Sequence, residues 1–359
     1  MQTDVLGHPY ERRTIELGRD DEGRVVATLV RRRSPTPTGR AVLWLHGWAD
    51  YFFHTHVADF FTALGYDFYA LELRKCGRSW LAHQTPHFCR SLAEYLPELD
   101  RAAHIIRHEE AHDRLVVMAH STGGLTAALW VHRRRAARLV DALILNSPFF
   151  DLKLPKTVSR PVLDAVVRLS RHQPYRVVPY STRPVYGQSL HVDFRGEWSY
   201  DLAWKPVGGF PIRLGWLGAI HAAQRRLRSG LEIDVPVLMA CSARSYRGRR
   251  WHELARRADS VLDVRDMLRW APSLGRQVTV LRVNGGLHDL KLSAEPVREA
   301  FFSDLARWLR AYADADVTTA RSRRLLPRPR PPERVGADTA PARPGAPLDR
   351  AGDVSGADG

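Results

Sequence analysis

The 359-residue chain is poor in cysteine and lysine and contains no long apolar run. Its three cysteines, Cys76, Cys89 and Cys241, are odd in number and widely scattered, which excludes a disulfide framework and a zinc-type ligand spacing. No stretch of about 18 uninterrupted apolar residues occurs, so a membrane-spanning helix is not expected. Met1 to Leu17 is polar and charged without an apolar centre, unlike a secretory leader. A reducing cytoplasm is the compartment these features imply. Lysine stands only at Lys75, Lys153, Lys156, Lys205 and Lys291, and the remaining basic residues are arginine. The resulting net charge of +15 is spread along the chain. No zinc-finger, RNA-recognition or helix-turn-helix pattern accompanies it, so nucleic acid is not an expected partner. Peripheral contact with a membrane stays open, whereas stable insertion does not.

What is present is a globular composition, 44% hydrophobic and 26% charged, with ten tryptophans. Tyr10–Leu17 and Arg24–Arg32 read as antiparallel strands around a turn at Arg19–Gly23. Then strands at Ala41–Leu45, Tyr66–Leu73, Leu115–Ala119 and Ala142–Leu145 alternate with helices at His54–Leu64, Leu92–His108 and Gly124–Arg134. This rhythm implies an α/β fold, a mostly parallel sheet with helices on both faces. The rhythm breaks after Pro148 and resumes with strands Val237–Cys241 and Val278–Val283 and a helix at Ala294–Tyr312. Residues 149–233 hold two helical stretches, Pro161–Arg171 and Trp216–Arg228. An irregular segment between them carries Tyr175, Tyr180, Tyr186, Phe194, Trp198, Tyr200, Trp204 and Phe210. So long an irregular stretch is expected to be a cap over a site. The expected divisions are therefore a core at 1–148 and 234–314, a cap at 149–233 and a tail at 315–359. The tail, with its Arg- and Pro-rich 321–334, is expected to be disordered.

The strongest chemical signal is the apolar strand that runs into His120-Ser121-Thr122-Gly123. A serine on a sharp strand-to-helix turn projects its hydroxyl above the sheet, and small neighbours let strand and helix pack closely. Gly123 supplies that smallness. Ala119 stands where the usual pattern has glycine. Ser121 alone would also serve as a helix N-cap. Acyl transfer further needs N–H donors aimed at a developing oxyanion. Leu45-His46-Gly47-Trp48 ends a buried strand, and Gly47 lets the Trp48 N–H turn toward the site, with the Thr122 N–H as second donor. His46 is expected to buttress this loop. His288 follows the last strand in a loop with two glycines, where a general base belongs in a sheet of this kind. The acid should follow Val237–Cys241, yet Ser242 to Tyr246 holds no carboxylate. Asp259 is the candidate, as an acid loop displaced by an insertion, and Asp263 is the runner-up.

Four segments carry a family resemblance: the His46-Gly47-Trp48 turn, Glu72-Leu73-Arg74-Lys75-Cys76-Gly77-Arg78-Ser79, the elbow at Ser121 and the His288 loop. They resemble the α/β-hydrolase superfamily, in its branch of monoacylglycerol lipases and lysophospholipases, over Tyr10 to Tyr312. The Glu72 segment departs from the D-x-R-G-x-G-x-S pattern in having Glu for Asp and Lys for Gly. The resemblance implies a helical cap and a cofactor-free esterase acting on a small, lipid-like ester through Ser121, His288 and an acid. Two other readings compete. His54 and His56 suggest a metal-dependent hydrolase, although on a helix they would face different directions. The missing carboxylate after Cys241 suggests a silent binding protein on the same fold.

Overall fold

Strands that are apolar on both sides belong in a layer covered above and below. The computed structural model, which describes residues 1–152, 167–179, 184–248 and 250–314, places them there. The strands are β1 (Gln2–Thr3), β2 (Glu11–Asp20), β3 (Gly23–Arg32), β4 (Arg40–Leu45), β5 (Tyr66–Glu72), β6 (Arg114–His120), β7 (Ala142–Asn146), β8 (Val237–Ser242) and β9 (Val278–Val283). They form one sheet in the order β1-β2-β3-β5-β4-β6-β7-β8-β9. The ladders from β5 through β9 are parallel, and those joining β1, β2, β3 and β5 are antiparallel.

Successive side chains of a strand point to opposite faces, so each central strand feeds two cores. Leu43, Leu45, Val117, Ala119, Leu143 and Leu145 face one layer. It is closed by α2 (Leu96–His104), α3 (Thr122–Arg134), α5 (Leu214–Arg228) and α6 (Val264–Trp270). Val42, Trp44, Val116, Met118 and Ile144 face the other, closed by α1 (Thr55–Ala63) and α7 (Glu295–Tyr312). Each fully buried large aliphatic or aromatic side chain here contributes about 1.5–3 kcal/mol.

The expected elements stand within a few residues of their predicted bounds, with four differences. Two helices are unexpected, α6 and Val185–Leu190, the latter inside the segment read as irregular. The short edge strand β1 has no sequence pattern to announce it. The helix expected over Leu92–His108 is three pieces: a 3-10 turn at Leu92–Tyr95, capped by Ser91 and Glu94, then α2, then a π turn at Ile105–Glu109. Pro97 is the physical reason for the first break. It lacks an N–H and so cannot continue the hydrogen-bond ladder from the preceding turn, but it fits the first turn of a new α-helix, where that N–H would have no partner, so the α-helix starts at Leu96.

Between β7 and β8 the described residues include α4 (Val185–Leu190) and α5. Trp198, Tyr200, Leu202 and Trp204 pack on Tyr51, Phe53, Leu287 and Leu292, the loops that follow β4 and β9. Of the helix expected over Pro161–Arg171, 161–166 lie outside the described residues and 167–172 are helical. Tyr180 and the tail at 315–359 also lie outside them.

Candidate active site

The turn from β6 into α3 is made by a single residue. Ser121 has φ 54 and ψ −117, a left-handed conformation that costs a non-glycine residue about 1–3 kcal/mol. Main-chain bonds hold it there. Its N–H donates to the Asn146 carbonyl at 3.0 Å, and its carbonyl accepts from Phe149 at 2.9 Å and Leu125 at 3.3 Å. Two glycines permit the approach. A Cβ on Gly123 would lie 2.2 Å from the His46 carbonyl oxygen, and one on Gly47 would lie 3.0 Å from the Ser121 Cβ. Ala119 needs no such room, because its methyl packs into the helical layer rather than into the turn.

His288 lies on the loop after β9. Its Nε2 is 3.0 Å from the Ser121 Oγ, and its Nδ1 is 2.8 Å from the Asp259 Oδ2. Both distances are hydrogen bonds. All three side chains are buried. With Nδ1–H donating to the carboxylate, Nε2 carries the lone pair that accepts the hydrogen bond of the Ser121 hydroxyl. The second carboxylate oxygen, Oδ1, accepts from the N–H groups of Val261 at 2.8 Å and Leu262 at 2.7 Å, which fixes the carboxylate's orientation.

Asp259 reaches the histidine by a detour. After β8 the chain departs over 243–258 and returns beside its own start. There the Asp259 N–H donates to the Arg244 carbonyl at 2.9 Å, and the Tyr246 N–H donates to the Asp259 carbonyl at 2.7 Å. The absence of a carboxylate at Ser242–Tyr246 therefore leaves no gap beside His288. Asp263, the runner-up, is engaged elsewhere: it caps α6 through the Arg265 N–H at 3.1 Å and pairs with Arg247 and Arg265.

The loop after β4 faces the elbow. His46 is neutral by its bonding, since Nδ1 donates to the Gly47 carbonyl at 2.7 Å and Nε2 accepts from the Leu73 N–H at 3.0 Å. Burial pushes its pKa down further. It braces the turn and is not free to act as a base. Among the described residues the Trp48 N–H has no protein acceptor, and the Thr122 N–H opens α3, where a helix offers it none. Trp48 packs 5.4 Å from Trp216, which also stacks with Phe149 at 6.4 Å. The edge of Tyr186 meets the His288 ring at 5.4 Å.

Several residues here were not foreseen. Asn146 ends β7 and joins the two halves of the site. Its carbonyl accepts from Ser121, while its Nδ2 donates to the Asp289 Oδ1 at 2.6 Å and its Oδ1 accepts from the Leu290 N–H at 3.3 Å. Beside it lies a buried charge network. Lys205 pairs with Asp50 at 2.6 Å, and Lys291 pairs with Asp289. His54 Nε2 is 3.6 Å from Asp289, and His120 Nδ1 is 3.5 Å from Asp50. Burial would raise the carboxyls of Asp50 and Asp289, but the surrounding ammonium and imidazole groups outweigh it and hold both well below the usual range. Burial, aided by Lys291, lowers His54 to about 3, and burial likewise lowers His120.

Among the described residues, two buried groups bring three potential metal ligands together: His46–Cys76–His87 and Asp50–His54–Asp289. In the first, both ring nitrogens of His46 are committed to hydrogen bonds. In the second, each carboxylate already holds an ammonium. The first thus lacks an anionic ligand, its Cys76 thiol held protonated by burial, and the carboxylates of the second are neutralised by lysines. His56 does not join His54, because its Nε2 bonds the Lys291 carbonyl at 2.9 Å. The two histidines thus share no ligand position, and the reading of a metal site on His54 and His56 finds no geometric basis.

No curated protein matches the chain in sequence. Its fold is similar to a monoacylglycerol lipase from Paleococcus ferrophilus, with 18% identity and TM-score 0.57 over 78% of this chain and 98% of that one. A soluble variant of the monoglyceride lipase of Saccharomyces cerevisiae, in complex with a substrate analog, gives 14% identity and TM-score 0.57 over 82% and 93%. A lipase in an open form gives 14% and 0.60 over 85% and 100%. At these identities the likeness is one of fold. Residues 36–244 match the family described as serine aminopeptidase, S33. That match spans more than half of the chain, on a sheet and elbow of this form, so the chain is a hydrolase of the serine aminopeptidase, S33, family with the α/β-hydrolase fold.

Proposed function

We propose that the chain is a serine hydrolase that cleaves carboxylic esters through an acyl-enzyme on Ser121. The hydrogen-bonded chain from the Ser121 hydroxyl through His288 to Asp259 carries this reading. Ser121 Oγ attacks the ester carbonyl carbon as its proton passes to His288 Nε2. The carbonyl oxygen becomes an oxyanion facing the N–H groups of Trp48 and Thr122. Collapse breaks the bond to the alkoxide, which takes the proton from His288. Water then repeats the attack with His288 as base, releasing the acid and restoring Ser121. Asp259 holds the imidazole in the tautomer this requires and stabilises the imidazolium. No step needs a cofactor.

Residues 149–233 act as the cap, over a core of 1–148 and 234–314. Trp48, Phe149 and Trp216 make an apolar wall beside the nucleophile, which supports a lipophilic acyl group such as that of a monoacylglycerol or lysophospholipid. The lipases among the similar folds point the same way. The three free, buried cysteines suit a cytoplasmic setting. The test is turnover of p-nitrophenyl esters of increasing chain length. Activity should rise with length, vanish in Ser121→Ala and be blocked by a serine-directed phosphonate. Equal rates at all lengths would remove the lipophilic reading, and turnover surviving in Ser121→Ala would remove the nucleophile.

A further inference from the structure

The detour that delivers Asp259 also builds a surface. A single exposed apolar side chain is ordinary on a protein surface, but here four fall in a small part of the chain: Leu254 is 58% exposed, Val192 53%, Phe194 48% and Val261 43%. They come from two segments, the loop after α4 and residues 243–261, that are fastened together. Trp251 Nε1 donates to the Ser189 Oγ at 3.1 Å, and the Arg195 guanidinium lies 4.4 Å from the Trp251 ring centre. Phe194 and Leu254 therefore stand on neighbouring loops, outside the apolar wall beside Ser121.

Guanidinium groups surround these apolar tips. Arg195, Arg244, Arg250 and Arg257 are exposed on the same two segments. The acids are fewer. Asp193 and Glu253 are exposed, Asp263 is held between Arg247 and Arg265, and Glu197 is paired with Arg298. The face is thus apolar and cationic at once. Nucleic acid phosphates would be satisfied by the arginines and give the leucine, valines and phenylalanine nothing to bury against. A bilayer surface uses both, taking apolar tips into the headgroup boundary and pairing guanidinium with anionic headgroups.

We propose that this face, formed by the loop after α4 and the 243–261 segment, docks the enzyme on an anionic lipid bilayer. Because Arg244 and Tyr246 bond directly to the Asp259 backbone, docking sets the acid end of the site at the lipid surface. The docking stands independently of the ester-hydrolase reading.

The test is co-sedimentation of the full chain with phosphatidylcholine vesicles, with and without phosphatidylglycerol. The chain should sediment with the phosphatidylglycerol vesicles and be released by salt. The double variant Phe194→Ser, Leu254→Ser changes no charge and leaves the Arg-rich 321–334 intact. It should lose about tenfold or more in vesicle partition, because apolar insertion and charge attraction act together. Its Tm and its turnover of a short, water-soluble ester should stay those of the parent. A parent that stays in the supernatant overturns the proposal, as does a double variant that binds vesicles as well as the parent does. Vesicle docking with no ester turnover would sink the function proposed above and leave the docking standing.

Discussion

At the end of β6 the chain turns within one residue; at the end of β8 it leaves over 243–258 before coming back to the same histidine. The two regions reach His288 by opposite means. The elbow is fixed by close packing, with Gly123 so close to the His46 carbonyl that a methyl group would collide and Gly47 tight against Ser121. The acid loop is held at its ends by main-chain bonds between Arg244, Tyr246 and Asp259 and by the N–H groups of Val261 and Leu262, and along its length by side chains such as Trp251, which bonds Ser189. One serine can therefore be held through shape and one carboxylate through a hydrogen-bonded clasp, both against the same histidine. The part between the clasp's ends is then free to carry another surface.

The comparison predicts unequal losses. Ser121→Ala should lower kcat by about a millionfold, leaving only binding and oxyanion stabilisation. Asp259→Asn should cost about ten thousandfold, through the wrong histidine tautomer, with the fold intact. Asp263→Asn is the control: the amide still caps α6 but loses the charge that pairs with Arg247 and Arg265, so it should cost at most about 1 kcal/mol of stability, with turnover nearly unchanged. Steady-state kinetics and thermal melts on the three variants decide the matter. A large loss of turnover in Asp263→Asn with none in Asp259→Asn would reassign the acid.

The same contrast marks what the sequence revealed. The elbow is local: strand, serine and glycine are contiguous, so composition and spacing suffice to find it. The choice of Asp259 over Asp263 rests on the look of 258–263 as a displaced acid loop, because nothing in Ser242–Tyr246 shows where the detour ends. The network of Asp50, Lys205, Asp289 and Lys291 was not read at all. Lys291 pairs with Asp289 two residues away, but Asp50 with Lys205 and His54 with Asp289 join segments far apart in the chain, and no spacing encodes that. One signal was available. In a chain whose basic residues are nearly all arginine, Lys75, Lys205 and Lys291 are each buried and ion-paired. A compact ammonium fits a closed pocket where a planar guanidinium does not, so a rare lysine in such a chain marks an interior cation.

Asn146 tests whether the two means are coupled, since it touches Ser121 with its main chain and the His288 loop with its side chain. Asn146→Ala leaves the Ser121 bond in place and removes the bonds to Asp289 and Leu290. The elbow should keep its geometry while the histidine loop loosens. Turnover should fall by up to about a hundredfold, the scale of a small misplacement of a reacting group. Turnover equal to that of the parent would show that the histidine loop is held by its own glycine turn and needs no tie to β7.

The smallest effect concerns acid. The elbow side is packed with histidines held neutral, whereas the acid loop has no such group. His54 titrates near 6.5 when unfolded and at about 3 when folded. Between those values the unfolded chain binds the extra proton, so stability is complete above pH 6.5 and declines as the pH falls toward 3. At pH 5 this one residue should cost about 2 kcal/mol, from about 1.36 kcal/mol per pH unit. His56, lowered to about 4 chiefly by burial, adds in the same direction. Urea unfolding from pH 7.5 to 5 should therefore show stability falling with acid. His54→Asn, whatever its midpoint at neutral pH, should show a shallower fall by about one proton. An unchanged slope in that variant would mean that His54 accepts a proton in the folded chain, and that Asp50 and Asp289 receive it without loss of structure.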